Sequence, residues 1–135
     1  MKSKALLVAA LFFMAIQACH AADHPIDQYQ SKCIAKDSTT SGMTNCTNGA
    51  ISRWDKELNS VYANLISSLA PSEQQALREA QRQWILYRDA EFKLIDEMYK
   101  TKDGTMYIPM RAADRLEIIK TRALRLQAYR DLQGL

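Results

Sequence analysis

Trp84, Tyr87, Arg88, Asp89 and Glu91 are the densest group of potentially reactive side chains in the chain, within Ala80-Gln81-Arg82-Gln83-Trp84-Ile85-Leu86-Tyr87-Arg88-Asp89-Ala90-Glu91. Paired carboxylates can cleave a glycosidic bond, so Glu91 is the residue to weigh for acid catalysis. Little else supports an enzyme. His24 is the only histidine after the first twenty residues, no nucleophile stands beside a base, and no glycine-rich loop is present to cradle a phosphate. His and Cys do not cluster at ligand spacing, so no metal and no other cofactor is expected. Glu91 reads instead as an ion-pair partner for Arg88 or a nearby lysine.

Arg88 raises a different question, because helical periodicity sets it and Gln81 into an apolar stripe beside Trp84 and Tyr87. A buried guanidinium costs several kcal/mol unless it is paired and hydrogen-bonded, so the stripe predicts a partner elsewhere in the chain. Asp55 and Asn59 are suited to that role: one helical turn apart, they present both oxygens to one neighbouring helix. The expected network joins Arg88 to Asp55 or Asn59, with Gln81 or Arg122 adding to it, and sets helix register rather than doing chemistry. Trp54, Trp84 and Tyr87 are the expected core aromatics.

These side chains need long helices to position them. Glycine occurs only four times and no alternating strand pattern is present, which makes the class all-α. Asp23 and Pro25 can cap and start a short helix bearing Ile26, Tyr29 and Cys33, followed by a polar loop from Lys36 to Gly42. Met43, Cys46, Ala50, Trp54, Leu58, Val61, Leu65 and Leu69 then recur at three- and four-residue steps up to Ala70-Pro71. Ser72-Glu73-Gln74-Gln75 reads as a capping box for a helix of about 40 Å reaching Met98. Asp103-Gly104 marks a turn within the break from Lys100 to Ile108, and Pro109 suits the first turn of a last helix through Ala112, Leu116, Ile119, Ala123, Leu126 and Arg130. The expected architecture is an antiparallel bundle of three long helices, with the short N-terminal segment tied on by a disulfide.

The beginning of the chain carries an address. Lys2 and Lys4 precede an apolar run from Ala5 to Ile16 and then small residues to Ala22, the pattern of a secretory signal cut after Ala21. Residues 1–21 are therefore assigned to the signal and 22–135 to one helical domain, periplasmic or secreted, with no transmembrane helix. Ile16-Gln17-Ala18-Cys19 also resembles a lipobox, and lipidation of Cys19 would make the product an outer-membrane or envelope lipoprotein. In an oxidising compartment Cys33 and Cys46 are an even pair, and a bridge between them contributes about 3 kcal/mol in the chain-entropy account.

Without Lys2 and Lys4 the net charge falls from +3 to nearly zero, which argues against nucleic acid as a partner. The basic excess is local, on Arg111, Arg115, Lys120, Arg122, Arg125 and Arg130. Such a helix side is either a solvated face or a docking face for an acidic partner.

Three strings carry a resemblance: Asp55-x-x-Leu58-Asn59-x-x-Tyr62, then Ala76-Leu77-Arg78-x-Ala80-Gln81-x-x-Trp84-x-x-Tyr87-Arg88-Asp89-Ala90-Glu91, then Arg122-x-x-x-Leu126-x-x-Tyr129. Together they resemble the LprI-type lysozyme-inhibitor family from about Cys33 to Arg130. The resemblance implies a small exported bacterial helical protein, frequently a lipoprotein, that binds and blocks a lysozyme-type muramidase or another peptidoglycan hydrolase. Relatives usually carry a further cysteine pair, directly after the Ala-Glu of the central string and near the start of the last helix; here Phe92 and Ala113 or Asp114 stand in those places. Loss of that pair predicts a less constrained loop after Lys100.

A muramidase cleft holds two carboxylates, so an inhibitor gains by inserting a cation from a protruding loop. Lys100, Lys102, Asp103, Tyr107 and Arg111 are the candidate plug. The alternative is a periplasmic structural or adaptor protein that binds an envelope component through a helix face, or an immunity protein against a peptidoglycan-degrading toxin.

Overall fold

The computed structural model describes residues 23–134. The expected signal segment and the expected lipobox at Cys19 lie outside the described residues. Four helices follow in order: α1 (Pro25–Lys36), α2 (Thr40–Ser68), α3 (Pro71–Lys100) and α4 (Tyr107–Leu132), with no strand among the described residues.

Local chemistry sets each start. Pro25 opens α1 at a position where no intrahelical N–H is needed, but the cap is His24, not Asp23: its Nδ1 accepts from the Ile26 N–H at 3.2 Å. The loop expected from Lys36 to Gly42 shortens to three residues because Thr39 caps α2, its Oγ1 accepting from the Gly42 N–H at 3.0 Å. Asp37 holds that cap, accepting from the Thr39 N–H and hydroxyl, so a Cβ at Gly42 would overlap its carboxyl group. The start expected at Ser72 lies two residues earlier, at Ala70, whose methyl side chain cannot accept, so only the reciprocal half of a capping box forms. Pro71 is the first residue of α3, and Glu73 reaches back to accept from the Ala70 N–H at 2.9 Å.

The α2 stripe Ala50, Trp54, Leu58, Val61 and Leu65 is buried against Leu116, Ile119, Ala123 and Leu126 of α4, and Cys46 and Ala112 are buried as well. Trp54 sits level with Lys120, and Thr44 and Asn48 sit level with Arg111 and Arg115, so α2 and α4 run in the same direction with α3 against both. The core is chiefly an α2–α4 interface. Only Leu77 and Ile95 of α3 are buried, and α3 rests on α4 far more than on α2. Fully burying such side chains contributes about 1.5–3 kcal/mol each, so most of the stabilisation lies between α2 and α4.

Helix α1 is held to α2 by the expected Cys33–Cys46 disulfide, with Cα atoms 5.6 Å apart. Tyr29 fits over Gly49, where a Cβ would overlap its hydroxyl, and the Arg53 guanidinium lies 3.8 Å from the centre of the Tyr29 ring. Asp27 of α1 accepts from Lys120 Nζ of α4 at 2.8 Å, and His24 stacks on Trp54 with ring centres 4.2 Å apart. Thus the short helix closes one side of the main interface.

Candidate functional site

Three helix ends converge where α3 hands over to α4. The N-terminal half of α2 supplies Thr44, Asn48 and Ile51, the last turns of α3 supply Phe92, Asp96, Tyr99 and Lys100, and Tyr107, Ile108, Arg111 and Arg115 come from the start of α4. They line an open cleft of about 520 Å³, with Lys102 and Gly104 of the connection at its rim. Four cations, Lys100, Lys102, Arg111 and Arg115, face a single carboxylate, Asp96.

Asp96 organises the wall. It accepts from Arg111 Nε at 2.8 Å and also pairs with Arg115, one turn further along α4. The Arg115 guanidinium lies 5.1 Å from the Phe92 ring centre, and its buried Nε has no hydrogen-bond partner. Tyr99 donates its hydroxyl proton to Asp114 at 2.7 Å; this bond, ahead of burial, raises the Tyr99 pKa above its ordinary value. Tyr99 also meets Tyr107 edge-on at 6.3 Å.

The connection itself is ordered by backbone bonds. Lys102 N–H donates to Tyr99 C=O, Tyr107 N–H to Gly104 C=O and Ile108 N–H to Thr105 C=O, while Gly104 adopts φ +119°, a value suited to glycine. Phe92 with Arg115, Asp96 with both arginines, and Tyr99 with Asp114 join α3 to α4 beside this connection.

Of the five plug residues, Lys100 ends α3 and pairs with Glu97 at 3.5 Å, whereas Tyr107 and Arg111 belong to the first turns of α4 rather than to a loop. Lys102 and Asp103 lie on the connection and are exposed; Lys102 has no ion-pair partner among the described residues. Asp96 and Tyr99 are not among the residues singled out by the sequence, and Arg115 is read there only as part of the basic side of the last helix. The available signal was the i, i+4 spacing of Arg111 and Arg115, which calls for an acidic neighbour.

The polar network divides. Gln81 and Arg122, each expected to add to the Arg88 network, instead bond to each other, with Gln81 Oε1 accepting from Arg122 Nε at 3.0 Å and from its terminal nitrogen at 2.9 Å. Burial lowers the Arg122 pKa from its ordinary value. Arg88 reaches neither Asp55 nor Asn59: it pairs with Asp89 at 2.7 Å and lies 5.4 Å from the Trp84 ring centre. Asp55 and Asn59 bond to each other along α2, with Asn59 donating to the Asp55 backbone oxygen at 2.9 Å. The reason is the position of α3, whose Arg88 face is not enclosed by α2 and so needs no interhelical acceptor.

The same cause moves the aromatics. Trp54 is fully buried, Trp84 is half-buried, and Tyr87 is 53% exposed instead of lying in the core. Glu91 has no ion pair with Arg88 or a lysine among the described residues. The basic side of α4 is largely consumed internally, through Arg115–Asp96, Lys120–Asp27, Arg122–Gln81 and Arg130–Asp131. No metal-holding group of three or more His, Cys, Asp or Glu occurs among the described residues.

The sequence pattern of the family described as lysozyme inhibitor LprI matches residues 33–126, a span that includes the α1–α2 disulfide, Gln81–Arg122 and the whole cationic cleft. The chain belongs to the LprI family. Its family is thus one of inhibitors rather than of enzymes. A crystal structure of an uncharacterized protein from Burkholderia thailandensis is similar to it, with a TM-score of 0.78 and 31% identity over 83% of this chain. That alignment spans only 56% of the Burkholderia protein. No curated protein matches the LprI-family chain. None of the described helices is long and apolar enough to cross a membrane.

Proposed function

We propose that this LprI-family protein is exported to the periplasm or beyond the cell and inhibits a lysozyme-type muramidase by presenting the cationic end of its bundle to the enzyme's acidic cleft. The observation that carries the reading is the exposed Lys102 on a connection anchored by Asp96–Arg111, Asp96–Arg115 and Tyr99–Asp114. A cation offered from an ordered loop binds at a smaller entropic cost than one on a mobile loop. Lys102 would approach the paired carboxylates of the muramidase, while Tyr107 and Arg111 flank it on the first turns of α4.

Like charges on the rim also favour encounter with an acidic cleft, and this contribution weakens as salt rises. Lys102→Glu alters an exposed side chain without touching the Asp96 contacts, so it tests recognition separately from folding. Lysis assays with a panel of muramidases should show inhibition by the parent protein, with the Lys102→Glu and Lys102→Glu/Arg111→Glu variants weaker by about tenfold or more. Inhibition unchanged by the double substitution would place the contact elsewhere. No inhibition of any muramidase would instead favour an envelope adaptor.

A further inference from the structure

Helix α3 carries a second stripe, apolar except for Gln83 and distinct from the one that faces the core. Exposed Ala76, Ala80, Gln83, Tyr87, Ala90 and Leu94 recur at alternating four- and three-residue steps, the spacing of a two-helix seam. Leu86 and Met98 border it and are 65% and 60% exposed. The core-facing Leu77, Gln81, Trp84 and Ile95 fall on a neighbouring face, so the seam lies outside the main α3–α4 contact, with Tyr87 at its edge lining a groove with Arg122 and Arg125 of α4. Scattered exposed apolar residues need no explanation, but a heptad-spaced row on a 30-residue helix with little other support does.

We propose that this face is covered by α3 of a second copy of the chain, antiparallel across a two-fold axis. The seam is asymmetric in size: its first half offers Ala76 and Ala80, its second half Tyr87 and Leu94. Antiparallel pairing sets Leu94 over Ala76 of the other copy, Ala80 beside its Ala90, and Tyr87 against its Gln83, so bulk meets space along the row. Leu86 then lies near its own counterpart. The flanking charges agree with the same register: Glu79, which within its own helix pairs with Arg82 and accepts from Gln83, has Lys93 of the other copy opposite it. Parallel pairing brings no opposite charges together and stacks large on large and small on small. Glu79 and Lys93 are fourteen positions apart on one helix, about 21 Å at about 1.5 Å per residue, so any coupling between them is intermolecular.

The test is light scattering and sedimentation on the full chain as produced and processed by a bacterial host, with helix content followed by circular dichroism. The parent protein should have twice the mass of one chain. Leu94→Glu should weaken association by about a hundredfold at unchanged helix content, since it places a charge at the apolar seam. Glu79→Lys and Lys93→Glu should each weaken it by about tenfold, and the double charge swap should restore it. A monomeric parent at the highest attainable concentration overturns the proposal. So does a dimer indifferent to Leu94→Glu, or a charge swap that fails to rescue.

Discussion

Replacing Arg122 by Met should cost far more stability than the same change at Arg88, although sequence periodicity favours Arg88 as the interhelical arginine. Arg122 makes two charge-assisted bonds to Gln81 Oε1, at 3.0 and 2.9 Å, and its guanidinium lies 5.8 Å from the Trp84 ring centre. Bonds to a charged group contribute about 1.5–3 kcal/mol. Part of that is offset because Met removes the cost of half-burying a cation, and its thioether can pack on Trp84 for about 0.3–1.5 kcal/mol. The net loss expected for Arg122→Met is about 1 kcal/mol. Arg88 pairs with the adjacent Asp89, whose side chain is 58% exposed, and an exposed pair of that kind contributes less than about 1 kcal/mol. Arg88→Met should therefore stay within about 0.5 kcal/mol of the parent. Urea titration followed by tryptophan emission measures both, and a cycle with Gln81→Met should give a coupling of about 1 kcal/mol to Arg122. Equal losses at the two arginines, or no coupling between Gln81 and Arg122, would refute this assignment of the α3–α4 contact.

Two further outcomes follow from the fold and the cleft. Replacing Cys33 and Cys46 together by Ser should lower stability by about 2–4 kcal/mol, and a reductant should shift the thermal midpoint of the parent but not of the variant. Because hydrogen bonding to Asp114 raises the Tyr99 pKa in the folded chain, its contribution to stability is present below about pH 10 and is lost as pH rises through the raised folded value. Asp114→Ala should bring that titration down, visible as an earlier rise of phenolate absorbance; an unchanged curve would remove the Tyr99–Asp114 bond from the account.

The comparison between residues explains what was legible along the chain. The α2 and α4 stripes were readable because their apolar residues return every three or four positions and both faces are truly buried. The disulfide was readable from an even cysteine pair and an expected oxidising destination. The helix starts were shifted by one to three residues because caps compete locally: His24 over Asp23, Thr39 within the expected loop, Pro71 ahead of Ser72. The candidate cleft was half visible. Lys100, Lys102, Tyr107 and Arg111 stood out beside a turn signal, but nothing in their spacing announces Asp96, which lies a helix away and holds Arg111 and Arg115.

By itself, then, the sequence determined the helical class, the order of the elements, the two principal core stripes and the family, all of which rest on local periodicity and short motifs. Tertiary structure alone decided how deeply each helix is buried. A period of three to four residues marks a face, yet it is blind to whether one neighbour or two will cover it. Because α3 leans on α4 and scarcely meets α2, Arg88 turned to Asp89, Tyr87 remained in solvent, and Arg122 became the arginine that spans the interface.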